Sequence, residues 1–576
     1  MNAAIIIVYF VFMLAMGLAM RRFNNVPSDY FRAGGAAPWW LCGTSALMSS
    51  FSAWSFTGAA GRIYEDGFLP LTLYAANVVS FFICWLWFAA RFRQMRVITY
   101  VDAIVRRYGA ATGRFYVWVQ LMFGVLSGAI MLNGLAIFLS AAFGQPMWAT
   151  VIIVGAAVTV TAMIGGSWAV LAGDFIQMLI VVAISATTFV LVLMHDRIGG
   201  IGGLLARLPD RFFHPAQSIA PPVLCLWMFA LLINQIIAMN NLGEASTRFL
   251  TAGDSRAARR AALIPAFGLL VGPLVWAAPA LAAVILAPDL GALFPSMPRP
   301  SETAYVATAR LVLPAGFMGL LVCAMFSATM SSMDAALNRA AGILVMNIYA
   351  PLRKLGAGDA SLVRAGKITT ALLGAVTTAG GLFISQWRTM GLFDLVIRLT
   401  AIVVLPLAVP LFFGLWLRPL PRGIAMLSAA AGIATSLLVL FGLPPAAVGA
   451  ALGLAREFKP QEWTDASYAI TVFATVFVSS SVMLLGWWRQ RRLKRGEPGA
   501  DAFFEDVRTP VTAAPAAGAA GARVIGNCTI LYGAFILILA AVPNTPAGHV
   551  CYLACAALII TVGWLVRRPA GKRGGT

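Results

Sequence analysis

The stretch from Cys323 to Asp334 (CAMFSATMSSMD) lies inside a long apolar run, from about Phe317 to Ile348. Ala328, Ser331 and Ser332 fall three or four residues apart there and so share one helix face. Hydroxyls buried in hydrocarbon need partners. Two chemistries fit this pattern. Small residues let helices approach closely, which is packing. Alternatively, the oxygens form a hard-cation site, replacing the ion's water. Asp174 raises the same question in the apolar run 168–194. A carboxylate at mid-helix costs roughly 2.5–3.5 kcal/mol on insertion scales. It persists there only if paired, hydrated or coordinating. Asp334 lies three residues after Ser331, on the same face. Should the fold bring Asp174 to this face, Asp174, Ser331 and Asp334 would make a candidate second cation site, in which the two carboxylates share a cation or hold a proton between them. The plainer alternative pairs Asp334 with Arg339 or Asn338.

The elements that position these groups follow from composition. Hydrophobic residues make up 60% of the 576 and charged residues 11%. A soluble chain is nearer half apolar and a quarter charged. A span needs roughly 20 apolar residues. About fifteen candidates are present: 3–20, 38–61, 68–90, 115–142, 147–164, 168–194, 222–242, 262–287, 314–346, 366–386, 390–416, 423–443, 466–487, 525–542 and 549–566. The chain therefore reads as an all-α, multi-pass integral membrane protein. Of the 41 Lys and Arg, 30 fall on alternate connections beginning with Arg21-Arg22, and 9 on the others. Arg339 and Arg398 lie within spans. The positive-inside rule then puts the amino terminus outside and the carboxyl terminus in the cytoplasm.

The net charge of +20 is explained by this loop bias, with the 489–495 cluster resting on anionic headgroups, and nucleic acid is not a partner. The seven cysteines are scattered through apolar runs without paired spacing. The three histidines lie in or beside outside loops. The first apolar run lacks a basic n-region and is no obvious cleaved signal. The polar stretch 488–524 is basic, then Ala/Gly/Pro-rich, and reads as a cytoplasmic linker.

Two spans look interrupted. The second crowds Ser, Thr and Gly between Gly43 and Gly61, and the seventh carries Asn234, Gln235, Asn240, Asn241 and Gly243. They lie five positions apart, as expected if two five-helix repeats each begin with a broken helix. Broken helices free backbone groups at mid-membrane, where ions and solutes can bind.

The motifs then resemble the sodium:solute symporter family. They are the polar second span ending Gly58-Ala-Ala-Gly61-Arg-Ile-Tyr64, then Gly165-Gly166 through Asp174 to Gln177, then Phe326 through Ser331-Ser332 to Asn338, followed by Asn347-Ile-Tyr349. Weaker matches are Thr247-Arg248 to Asp254 and Phe503-Phe504 to Thr509-Pro510-Val511. The resemblance covers about residues 1–511. It implies a LeuT-type fold of two inverted five-helix repeats. It implies sodium between core helices one and eight, held by carbonyls of Met48, Phe51 and Ala328 and hydroxyls of Ser331 and Ser332. In some members the aspartate at position 174 forms a second sodium site with serines of core helix eight. This chain departs there, with Asp334 and Ala335 where such members carry hydroxyls. Implied solute liners are Trp54, Ser55, Tyr74, Asn77, Asn133, Asn234 and Gln235. Arg398 could meet a solute carboxylate, or snorkel, or pair with Asp394 one turn away.

These readings divide the chain into 1–37 (leading helix and cytoplasmic loop), 38–416 (ten-helix core), 417–487 (two trailing helices), 488–524 (linker) and 525–576 (two final helices and a basic tail). The expected function is sodium-coupled import of a small polar solute across a bacterial-type inner membrane by alternating access. Sodium is the coupling ion and the one metal expected. No other cofactor and no obligate protein partner is inferred. No GxSxG, HExxH or P-loop stands in a credible context, so an enzyme is not expected. The alternative is a membrane solute sensor with a transporter-like core. Against it, the chain ends about ten residues after its last span, and nothing in 488–524 resembles a kinase or receiver. Sugars, organic acids, amino acids and vitamins remain open as substrates.

Overall fold

A computed structural model describes the chain except residues 21–22, 24–32, 164–166, 218, 244–245, 346–348, 355–360, 388–389, 455, 495, 498–499, 513–516 and 568–576. It also leaves out the side chains of 335, 339, 351, 363, 387 and 517–520. Thirteen helices among the described residues are long and apolar enough to cross a membrane. In chain order the elements used below are α1 (Asn2–Met20), α2 (Trp39–Ser49), α3 (Gly58–Asp66), α4 (Leu71–Gln94), α5 (Ala110–Phe143), α6 (Met147–Ala162), α7 (Ser167–Met194), α8 (Pro221–Met239) and α9 (Ser255–Leu286). They continue as α10 (Phe317–Leu344), α11 (Ser361–Trp387), α12 (Leu392–Phe413), α13 (Ile424–Gly442), α14 (Pro460–Arg492), α15 (Ala500–Arg508), α16 (Ala517–Leu539) and α17 (Pro546–Arg567). The interrupted pair α2–α3 and the short α6 account for the two spans that length alone does not count. Large apolar side chains such as Ile7, Met122, Ile153, Leu274, Phe441 and Phe477 stay exposed on the outer faces, as lipid contact requires.

The inverted repeat is visible in which helices touch. Number the core one to ten, with α2–α3 as one and α12 as ten. Exchanging each helix for the one five places on maps one contact onto another. The pair α4/α8 maps onto α9/α2, α5/α11 onto α10/α6, and α2/α7 onto α8/α12, and all six pairs are in contact. Outside this core, α1 packs on α7 and α10, α14 packs on α8, α12 and α13, and the α16–α17 hairpin packs on α7.

The second span breaks where its composition said it would. α2 ends at Ser49, a single 3-10 turn covers Ala53–Phe56, and α3 begins at Gly58. Local hydroxyls take over the lost helix bonds. Ser52 Oγ accepts from the Trp54 amide at 3.3 Å, and Thr57 Oγ1 donates to the Ala53 carbonyl at 3.0 Å. Gly58 is obligatory here because a Cβ would come within 2.9 Å of Leu392 Cβ and 3.0 Å of the Phe393 amide.

The seventh span differs from expectation. Asn234 and Gln235 lie inside an unbroken helix, and the chain leaves it at Asn240. No Gly or Pro interrupts the sequence from Val223 to Met239, so the backbone satisfies itself. At its end amide side chains substitute for backbone partners. Asn240 Nδ2 donates to the carbonyls of Ser80 (3.2 Å) and Ile236 (3.0 Å), and Asn241 Oδ1 accepts from the Gly243 amide at 2.7 Å.

Within the stretch expected as a linker, residues 500–511 form a helix and a docked segment. α15 buries Phe503, Phe504 and Val507. Asp506 accepts from Arg106 at 2.6 Å and Arg96 at 3.3 Å. Val511 pairs with Ser255 through its amide (2.9 Å to Oγ) and its carbonyl (3.1 Å from the Ser255 amide). Acidic and aromatic residues hidden in a basic segment thus dock it onto the loops of the core. The anchor is Arg107, fully buried, which bonds Glu497 and donates to the carbonyls of Gly414 and Leu417. We predict that Arg107→Ala lowers stability by about 3–5 kcal/mol, because Glu497 and two carbonyls lose their donor. Arg418→Ala should leave stability near wild type, since its partner Asp501 is 97% exposed. Thermal unfolding of both variants in detergent checks the contrast.

Candidate ion and solute site

Two cavities flank α10. The larger, of about 380 Å³, runs from Trp54 to Arg248 and Phe249. Of the seven residues implied as solute liners, Trp54, Tyr74, Asn77, Asn234 and Gln235 line it. The other two expected liners do not. Ser55 is buried in the 3-10 turn, and Asn133 is turned away to donate to the Gly381 carbonyl at 3.3 Å. Gln235 Nε2 donates to Asn77 Oδ1 at 3.0 Å, and Asn234 Nδ2 donates to the Tyr468 hydroxyl at 3.0 Å. Asn234 Oδ1 finds no partner among the described residues. Aromatic Trp54, Phe81 and Phe123 and thioether Met131 complete an apolar frame around these amides.

Ser331 and Ser332 face different spaces. The Ser332 hydroxyl is buried without a described partner and lines the large cavity with Phe51. The Ser331 hydroxyl donates to Asp174 and lines a second, smaller cavity of about 50 Å³. Successive helix residues point about 100° apart, so one helix can serve both cavities. Met48 and Phe51 sit at the end of α2, where the Met48 carbonyl accepts from the Phe51 amide at 3.4 Å. Ala328 is fully buried in α10, and next to it Thr329 Oγ1 accepts from the Ala53 amide at 3.1 Å. That bond ties α10 to the break.

The small cavity gathers Asp174 and Asp334 with Thr161 and Gln177, closed by Met13, Met16 and Gly17 of α1. Asp174 accepts from Ser45 of α2 as well as from Ser331, and Arg248 stands 3.9 Å away. Asp334 accepts from Thr161 at 3.4 Å. The pairing of Asp334 with Arg339 lies outside the described residues. Arg398 stays off the large cavity and donates to Ser467 at 3.2 Å.

The two ends of the large cavity are unlike. At the Arg248 end, exposed Ser49 lines it. At the other end Trp54 Nε1 donates to the Leu392 carbonyl at 3.1 Å, and its ring stacks on Phe393 with centroids 5.5 Å apart. Behind them Arg62, 3% exposed, meets Asp66, Asp394 (2.9 Å) and Asp465 (3.0 Å). One guanidinium therefore joins α3, α12 and α14. In the sequence Arg62 stands within the Gly58–Tyr64 motif with no role apparent from its neighbours. The available signal was an arginine and two carboxylates, Asp394 and Asp465, at the edges of apolar runs, each needing a partner.

A family model described as the sodium:solute symporter family matches residues 30–432. The chain belongs to this family. Among its relatives, sodium/glucose cotransporter 4 of Danio rerio is 23% identical, with 88% of this chain and 84% of that protein covered. The sodium/sialic acid symporter NanT of Aliivibrio fischeri is 22% identical over 76% of this chain and 87% of that one. A solved sodium-coupled sialic acid symporter, substrate-bound and outward-open, superposes with a TM-score of 0.64 at 16% identity, covering 83% of this chain and 98% of that one. The LeuT-type fold follows for this symporter.

The Arg62 cluster generates a test. Arg62→Leu leaves Asp66, Asp394 and Asp465 without their shared cation, whereas Asp394→Asn leaves Arg62 with two carboxylates. In a cysteine-free background, a cysteine at position 74 should gain reactivity toward a bulky impermeant thiol reagent from the Arg62 side in Arg62→Leu. We expect at least a several-fold gain there and a smaller one in Asp394→Asn. Equal reactivity in parent and both variants would show that the cluster does not hold this end shut.

Proposed function

We propose that this sodium:solute symporter imports a small polar solute, with its amino terminus outside and its Arg248 end in the cytoplasm of an inner-membrane cell. The carrying observation is the pair of cavities on opposite faces of α10, one lined by amides and aromatics and one by two carboxylates. With 30 of the 41 Lys and Arg on the connections of that side, the cavity open toward Arg248 is open inward. Arg62, Trp54 and Phe393 then form the closed external side. Division of the chain into a ten-helix core with leading, trailing and tail segments belongs to the same proposal.

In this reading sodium binds where the end of α2 meets α10, using carbonyls of Met48, Phe51 and Ala328 and the hydroxyls of Ser331 and Ser332. The buried, partnerless Ser332 hydroxyl supports it, since such a group otherwise costs free energy. In the inward-open arrangement the Ser331 hydroxyl bonds Asp174 instead. Sodium binding would draw both hydroxyls together, hold the broken helix against α10 and stabilise the outward-open state. Solute then permits closure. Asp174, Ser331 and Asp334 form the second cation site around the small cavity. A potential of about 100 mV contributes about 2.3 kcal/mol per charge, and a tenfold sodium gradient about 1.4 kcal/mol. One sodium ion can thus drive neutral-solute accumulation of several hundredfold.

Sodium should raise apparent solute affinity, and potassium should not. Ser332→Ala should weaken sodium activation by about tenfold with little loss of folding, and Asp174→Asn should lower the sodium Hill coefficient. A thermal-shift screen of solute classes with and without sodium reads both. Unchanged sodium dependence in both variants would remove the assigned sites.

A further inference from the structure

We propose that Arg248 is a built-in counter-cation, occupying Asp174 when the coupling ion has left and so favouring ion release toward the cytoplasm. The inference rests on the reading of Asp174 as a cation ligand. Asp174 is 1% exposed and faces the small cavity, with its two oxygens taken by Ser45 and Ser331. Both are neutral donors, so neither balances its charge. Arg248 does so from the opposite side. Its Nη1 stands 3.9 Å from Asp174 Oδ2, while its Nε donates to Ser49 at 2.8 Å. At 3.9 Å the guanidinium neutralises the carboxylate without a direct hydrogen bond. It is also always charged, whatever the pH.

The placement gives this pair a consequence for transport. Arg248 lines the large cavity, and Asp174 lines the small one. The contact between them is therefore a link between the two compartments. A sodium ion at Asp174 and the guanidinium beside it repel each other. By linkage each weakens the binding of the other. When sodium occupies Asp174, Arg248 is pushed away from it, along with its neighbours Thr247 and Phe249, which also line the large cavity. When Arg248 returns, sodium is expelled. Arg248 acts on the ion through the Asp174 carboxylate, so it is a positioning residue for ion release.

Purified protein titrated with sodium provides the test, read by 22Na binding and by thermal shift. Arg248→Gln should tighten apparent sodium affinity by about tenfold and slow sodium-driven exchange in proteoliposomes by a similar factor. Arg248→Lys, which keeps the charge, should stay within about twofold of wild type on both. A purely structural arginine would give weaker or unchanged sodium affinity in the Gln variant, and that result overturns the proposal. Arg248→Met provides the same readout should the Gln variant yield no protein. Asp174→Asn separates the two levels. If it abolishes the Gln effect, the counter-cation acts through Asp174. If Asp174→Asn alone leaves sodium affinity unchanged, the cation site itself is wrongly placed. If it weakens sodium while Arg248→Gln does nothing, the Arg248 inference falls alone.

Discussion

Backbone polar groups in a bilayer have no water to bond, so a helix can be interrupted there only where protein or a lined cavity satisfies them. The break between Ser49 and Gly58 obeys that constraint, and much of the molecule is organised around it. Ser52 and Thr57 cap the turn from within, Thr329 of α10 accepts the Ala53 amide, and Trp54 reaches the Leu392 carbonyl on α12. The partners come from both halves of the repeat. A disturbance at the break must therefore be felt by α10 and α12 together, which is what a transporter needs from its moving element.

The same economy of position explains why α10 serves two spaces. Ser331 and Ser332 are neighbours in sequence, yet one bonds Asp174 and the other lines the large cavity. A rotation or tilt of α2 relative to α10 would change which hydroxyl faces which space. Coupling needs no long pathway under this arrangement. At the proposed sites, ion and solute would meet adjacent residues of one helix, Ser331 and Ser332. The acidic pair at the small cavity is held within two apolar, membrane-length helices by hydroxyl donors and one arginine, a costly arrangement that a packing role does not require.

Most of the fold was legible because hydrophobic length and loop charge are local properties. The interrupted second span was legible too, since Ser, Thr and Gly crowd its centre. The seventh span misled for a physical reason. Amides at Asn234 and Gln235 can line a cavity from an intact helix, and only Asn240 and Asn241 end it. Ser55 and Asn133 were expected to face solute, but one-residue rotations decide which side of a helix faces a cavity. What stayed hidden are contacts between residues far apart in sequence. Arg62 finds Asp394 and Asp465 over 300 residues away, and Arg107 finds Glu497 at a separation of 390. Sequence showed charges needing partners, but not which ones. The docked helix α15 was missed because its acidic and aromatic residues are diluted within a basic, Pro-containing segment.

The central claim is that ion and solute move together through one protein. Proteoliposomes loaded without sodium and given an inward gradient allow 22Na influx to be followed while pooled sugars, amino acids, organic acids or vitamins are added in turn. The account predicts that one pool accelerates sodium entry and is itself accumulated against its gradient, and that collapsing the sodium gradient stops the accumulation. A pool that binds the protein yet changes neither sodium entry nor its own distribution would contradict coupled transport and favour a sensor.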